Sequence, residues 1–325
     1  MLHRLRLSAL HPTILTITKP ASPILRAGYS VQKMPSNNIS SSSSTSGTSF
    51  ILQNSEPECK VLLPQNLAQD QLLNFPAFKN WISTLQHSLS LQKQESHAFH
   101  KDPYKLRKVD IQAVDWFTKT KLGFVKIQAE VTTDRGDWLP GAVFLRGGSV
   151  GMLIVLQPNT APPNTEQDKH VLLTIQPRIA AGSLALAELP AGMLDDGTFA
   201  GKAAEEIREE TGLTVPENEL INMSDIALSN MSSSTSPSDE EKLQNAVYPS
   251  PGACDEFIPL FLYQKRIDPK ELEDLSGKLT GLRHEGEKIT LKLVKLEDLW
   301  KEGGRDAKAL AALTLYEGLR REGKI

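Results

Sequence analysis

The sequence predicts a mixed α/β or α+β fold, on three observations. Apolar-rich runs of strand length, punctuated by turn residues, recur at 109–114, 123–131, 139–146, 150–157 and 171–176. Apolar residues at helical spacing stand on either side, at 72–89 and 307–319. Between the strand-like runs lies a helix-favouring acidic segment, 203–211, stopped by Gly212.

Taken in order, the chain begins with 55 residues that contain no Asp or Glu but carry Arg4, Arg6, Lys19, Arg26 and Lys33. The opening Met-Leu-His-Arg-Leu-Arg-Leu suits a basic amphipathic helix, and no continuous apolar run follows it, so residues 1–34 are expected to be a mitochondrial transit peptide. Initiation at Met34 would leave a cytoplasmic form. Residues 35–56, around the run Ser40 to Ser44, are too polar to bury surface and read as a disordered linker. From Val61 the composition turns globular. Leu72, Phe75, Phe78, Trp81, Ile82, Leu85 and Leu89 recur as on one helical face, before a basic stretch near 101–108 and the first strand-like runs. The loop 158–169 separates the strands 150–157 and 171–176. A Ser/Asn-rich stretch within 229–246 reads as a mobile surface insertion. The strand-like runs 257–263 and 289–294 and the helix 307–319 complete the chain.

Composition narrows the function. A chain of 325 residues with 39% hydrophobic content has room for about two domains. Its net charge of -3 gives no basic field for nucleic acid. No apolar run approaches the roughly 20 residues that span a bilayer, so neither nucleic acid nor membrane is an expected partner. Cys59 and Cys254 are too few and too far apart for a disulfide framework or a zinc site.

Chemistry is concentrated in Glu188-Leu-Pro-Ala-Gly192-Met-Leu-Asp-Asp-Gly-Thr-Phe-Ala-Gly201-Lys-Ala-Ala-Glu-Glu206-Ile-Arg-Glu209-Glu210-Thr-Gly212-Leu213. Glu206, Glu209 and Glu210 stand at i, i+3 and i+4, so one helical face carries three carboxylates within a turn. Their repulsion destabilises the helix unless a cation neutralises it, and an all-oxygen set selects Mg²⁺ or Mn²⁺. A solvated acidic face is the plainer explanation for an isolated helix. The Leu-Pro-Ala-Gly turn and the Glu-Glu-x-Gly-apolar ending are not needed for solvation.

Together these features resemble the Nudix box, Gly-x5-Glu-x7-Arg-Glu-U-x-Glu-Glu-x-Gly-U with U aliphatic, and the match is good from Glu206 to Leu213. Three positions depart from it: Gly192 stands one residue too near the helix, the early Glu has no counterpart, and Glu205 replaces Arg, leaving Lys202 or Arg208 to orient the glutamates. Leu139-Pro-Gly-Ala-Val-Phe-Leu-Arg-Gly-Gly-Ser-Val150 and Pro249-Ser-Pro-Gly-Ala-Cys-Asp-Glu256 are further similar to the longer ADP-sugar pyrophosphatases of this family. The resemblance covers roughly residues 105–320.

It implies an α/β/α sandwich with a mixed sheet over 147–325, a smaller helical/β dimerisation domain over 57–146, and a homodimer. It also implies metal ligation by Glu206, Glu210 and the Ala191 carbonyl, with Glu209 binding or placing a second ion. The activity implied is Mg²⁺- or Mn²⁺-dependent cleavage of ADP-ribose or ADP-glucose to AMP and a sugar phosphate. UDP-glucose, NADH or a capped RNA end are alternative substrates, and a nucleotide-binding module without catalysis is an alternative of another kind. The base that activates water is expected from Glu285, with Glu287 beside it, or from Glu256, the latter nearer the metals or substrate. Arg178, placed between a strand and the acidic turn, is a candidate for forking onto a phosphate. Trp116, Phe117 and Trp138 suit a core or dimer interface better than adenine stacking. N-terminal sequencing of the protein from cells tests the leader: a start beyond residue 30 is expected, and an intact Met1 would contradict it.

Overall fold

Strand β1 (Ser49–Leu52) lies near the start of what the computed structural model describes, residues 48–194, 199–229, 240–282 and 288–325. It corrects the expected linker, which ran to residue 56. β1 pairs antiparallel with β2 (Cys59–Leu62), because Phe50 and Leu52 share a core with Cys59 and Val61. A four-residue strand behind a serine run carries too short an alternation to stand out. The expected transit peptide and the first part of the linker fall outside the described residues.

The predicted helical piece is two helices, α1 (Gln69–Asn74) and α2 (Pro76–Leu91). Pro76 divides them: it disfavours helical backbone at Phe75 and is well placed in the first turn of the next helix. α2 lays Phe78 and Ile82 on a sheet made of β1, β2, β3 (Lys105–Trp116), β4 (Leu122–Thr132), β5 (Trp138–Leu139) and β6 (Ala142–Leu145). Its order is β1-β2-β3-β4-β5, with β6 also on β4, and only the β2–β3 pair is parallel.

After residues 146–148 the chain enters a second sheet with β7 (Ser149–Pro158), β8 (His170–Arg178), β9 (Ser183–Glu188) and β10 (Ala191–Met193). Then come α3 (Phe199–Thr211), β11 (Ile221–Asn222), α4 (Met223–Leu228), β12 (Leu260–Ile267), α5 (Pro269–Leu275), β13 (Leu279–Thr280), β14 (Ile289–Lys295), α6 (Leu299–Glu302) and α7 (Ala307–Arg321). The order is β11-β12-β7-β8-β14-β13, with β10 on β7 and β9 on β8. β12 runs parallel to β7 and the other pairs are antiparallel, so the sheet is mixed.

β7 is buried on both faces and therefore reads as an unbroken apolar run. Val150, Met152, Ile154 and Leu156 point to one face, where Ala203 and Ile207 of α3 and Leu272 and Leu275 of α5 cover them. Leu153 and Val155 point to the other, under Met223 of α4, Leu299 of α6 and Ala309, Ala312 and Tyr316 of α7. The result is the α/β/α sandwich.

Two expectations shift. The strand predicted at 257–263 runs instead over Leu260–Ile267, while Ile258 makes an isolated bridge with Val247. Of the expected insertion 229–246, residues 230–239 lie outside the described residues, but its far end docks on α2. His87 Nε2 is 2.8 Å from the Glu240 carbonyl, and Ser88 Oγ bonds Glu241. Among the described residues no helix is long and apolar enough to cross a membrane.

Cys59 is fully buried in the first core, and burial pushes its thiol up to about 11. At pH 8 it is protonated and enclosed, so iodoacetamide should leave it unlabelled until urea unfolds the chain. Labelling of the native protein at the rate of a free thiol would contradict this packing.

Candidate active site

The site is built on the pairing of β10 with β7, which sets Ala191 opposite Gly151, Gly192 opposite Val150 and Met193 opposite Ser149. α3 packs against this short ribbon. Ala203 and Ile207 face the core, and the adjoining stripe of the helix presents Glu206 and Glu210 to β10. Gly212, at φ 76°, ends the helix in the left-handed conformation glycine adopts without strain.

Glu206 lies directly on Gly192, where a Cβ would stand 1.8 Å from the carboxyl carbon. Glycine fits there because the Glu206 side chain occupies the space a Cβ would take. Glu210 is 6% exposed. Its Oε2 accepts the Ala191 N–H at 3.0 Å and its Oε1 accepts Gln176 Nε2 at 3.4 Å. Thr280 Oγ1 donates to the Glu210 carbonyl, pinning the end of the helix. Burial first and the Glu206 charge second push the Glu210 carboxyl up to about 8, against the Ala191 hydrogen bond; Glu188 adds to the rise and Arg178 opposes it.

Cations already respond to this charge. Lys202 Nζ lies 2.9 Å from Glu206 Oε1 and 3.0 Å from Glu205 Oε2. Although burial lowers its pKa, the two carboxylates outweigh that and raise it. With Arg absent at position 205, it is Lys202 that contacts Glu206. Arg208 turns to Glu209, at 3.6 Å.

Arg178 ends β8 with Nε 2.6 Å from Glu188 Oε1. Glu256 is anchored beside the start of β7: its Oε1 receives Arg146 Nη1 at 2.8 Å and Ser149 Oγ at 2.9 Å. The preceding Asp255 accepts the N–H groups of Arg146 and Gly147. Ser149 faces Met193 across the ribbon, so Glu256 lies toward the end of the acidic turn rather than on α3. Glu285 and Glu287 lie outside the described residues, as do Asp195 and Asp196.

The structure thus brings Ala191, Glu206 and Glu210 together, with the charge of Arg178 felt at Glu210; Glu209 contacts Arg208, and Glu256 is held by Arg146 and Ser149. Sequence reasoning missed Glu188, which is 5% exposed and salt-bridged on both oxygens. Its one signal was a charged residue ending an otherwise apolar strand. Among the described residues no three carboxylate, histidine or cysteine side chains are drawn in tightly enough to enclose an ion. The donor chemistry nevertheless fits a hard divalent cation: two carboxylates on one turn, one of them buried and resisting ionisation for want of positive charge.

The arrangement is a carboxylate pair on one helix, backed by a glycine-bearing turn, in an α/β/α sandwich. No family model matches the chain. It is, however, 33% identical over 293 residues to Nudix hydrolase 14, chloroplastic, of Arabidopsis thaliana, across 88% of this chain and 85% of that protein. The chain belongs to the Nudix hydrolase family. A solved structure described as an ADP compounds hydrolase aligns with 68% of this chain and 97% of its own, at 13% identity and a TM-score of 0.43.

Gly192→Ala should expel the Glu206 carboxylate from its seat on β10. The expected result is a fall in turnover on the order of 100-fold, the scale of a 1 Å misplacement, with the circular dichroism spectrum unchanged. Near-normal turnover of the variant would show that Glu206 is not held where it acts.

Proposed function

We propose that the protein is a divalent-metal-dependent pyrophosphatase that cleaves ADP-ribose or ADP-glucose to AMP and a sugar phosphate. The observation that carries this reading is the seating of Glu206 and Glu210 against Ala191 and Gly192, where two carboxylates share one buried face. The ADP-sugar assignment rests on the segments 139–150, 188–196 and 249–256.

Glu206 and Glu210, with the Ala191 carbonyl, would hold the cation, and Glu209 would serve a second. A cation bound there, Mg²⁺ or Mn²⁺, neutralises the diphosphate and acidifies the attacking water. The remaining work falls to the chain. Arg178 turns guanidinium N–H groups toward the diphosphate, Lys202 balances the charge on Glu206, and a carboxylate takes the proton of the water as one P–O bond of the bridge breaks. Glu285 is the proposed base. Glu256, whose Oε1 is committed to Arg146 and Ser149, suits placing the substrate better than accepting a proton.

Two further assignments belong to this reading. The first sheet is the homodimer surface, supported by the exposure of Trp138 and Leu139 on β5. The leader directs the protein to an organelle. Its basic opening favours the mitochondrion, whereas the Arabidopsis relative is by its name chloroplastic.

The test is AMP release from ADP-ribose, ADP-glucose and NADH, and UMP release from UDP-glucose, with Mg²⁺, Mn²⁺ or EDTA. Turnover of the ADP-sugars should need metal and fall by at least about 100-fold in Glu206→Gln and Glu210→Gln, the scale on which electrostatic stabilisers act. A folded wild type that binds nucleotide but cleaves none of the four would end the enzyme reading and leave a binding module. Preferential cleavage of UDP-glucose or NADH would keep the chemistry and replace the substrate.

A further inference from the structure

Behind Arg178 lies a buried ionic chain that the acidic helix does not explain. Glu188, at the end of β9, uses both carboxylate oxygens: Oε1 accepts Arg178 Nε at 2.6 Å, and Oε2 accepts Lys308 Nζ at 3.2 Å. Lys308 comes from the first turn of α7. Its stem passes over Gly151 of β7, where a Cβ would stand 3.5 Å from the lysine Cδ. Its ammonium also lies 3.0 Å from Asp306 Oδ1. Asp306 caps α7 through the Lys308 N–H at 3.0 Å, and its Oδ2 accepts the Leu189 N–H at 2.8 Å, next to Glu188 in the chain.

Two carboxylates and two cations therefore balance in a region where Glu188, Asp306 and Lys308 side chains are 5%, 5% and 13% exposed. Burial works to lower the Lys308 pKa, but Asp306 and Glu188 outweigh it, so the lysine stays charged. A buried ion pair is a poor source of net stability, since desolvation offsets most of the attraction. Orientation is what this one supplies. Glu188 grips Arg178 by Nε alone, and Nη1 and Nη2 of that guanidinium have no partner among the described residues. With neither terminal nitrogen bonded among the described residues, Arg178 keeps a double-donor edge for an oxyanion. Lys308 holds the other oxygen, Oε2, so the Glu188 carboxylate is fixed from two sides with Oε1 turned to Arg178.

We propose that Glu188 and Lys308, steadied by Asp306, are positioning residues that hold Arg178 side-on, so that its terminal N–H groups receive the diphosphate of the substrate. The inference rests on the reading of Arg178 as a diphosphate-binding group. It adds that the C-terminal helix sets the aim of that arginine. Glu188 and Lys308 touch no substrate; they act through Arg178.

The experiment is a double-mutant cycle on the full chain with Glu188→Gln, Arg178→Gln and both together. It reads ADP affinity by calorimetry and AMP release from ADP-ribose. Glu188→Gln keeps shape and should weaken both about tenfold, as loss of an orienting partner does. In the Arg178→Gln background the same change should have no further effect, because no arginine is left to aim. A purely structural Glu188 would give the same loss in both backgrounds, and multiplied losses, or a Glu188→Gln protein equal to wild type, would overturn the proposal. Lys308→Met should repeat the Glu188→Gln pattern. If it does not fold, the glutamate cycle alone decides. Should the wild type bind ADP yet release no AMP, the hydrolase reading fails while the affinity cycle still tests the relay. Should it bind no ADP, the phosphate role of Arg178 fails and the relay with it.

Discussion

Everything in the second lobe is arranged around one unfavourable fact: two glutamates share a helix face and one of them is buried. Glu210 loses hydration without gaining a cation of its own, and Glu206 lies close enough to raise its proton affinity further. The surrounding structure offsets this with directed groups, namely the Ala191 N–H, the Gln176 amide and the Lys202 ammonium. Each comes from a different element: β10, β8 and the first turns of α3. The ribbon under the carboxylates is paired to β7, which is buried on both faces.

The same constraint explains the local sequence. Glycine stands at 192 because a carboxylate occupies the space of its side chain, and at 212 because the helix must stop at a positive φ directly after Glu210 and Thr211. Glycine at 151 makes room for Leu260, whose Cδ2 would stand 2.9 Å from a Cβ there. The substitution of Glu for Arg at 205 is accommodated by one lysine that bridges Glu205 and Glu206. The basic group moves three residues toward the helix N-terminus and still meets the same carboxylate, because positions i and i+4 share a face.

Much of the second lobe was legible in the sequence because its signals are local. Periodicity located β7, β8, β14 and α7 to within a few residues, and the spacing of Glu206, Glu209 and Glu210 located the acidic face. What escaped depends on distant partners. β1, β9 and β10 are short and owe their existence to pairing with strands elsewhere in the chain. Glu188 looked like part of a turn and is a buried ion held from α7, a contact across 120 residues. Pro76, read only as part of a helical stretch, divides that stretch in two.

The cap on α7 places a support for the early part of the site near the far end of the sequence. Asp306 and Lys308 are synthesised well after Arg178, Glu188 and the acidic helix. On the ribosome the chain therefore presents its glutamates before the arginine beside them is anchored. The arginine's surroundings are complete only when the helix Ala307–Arg321 is docked on the sheet.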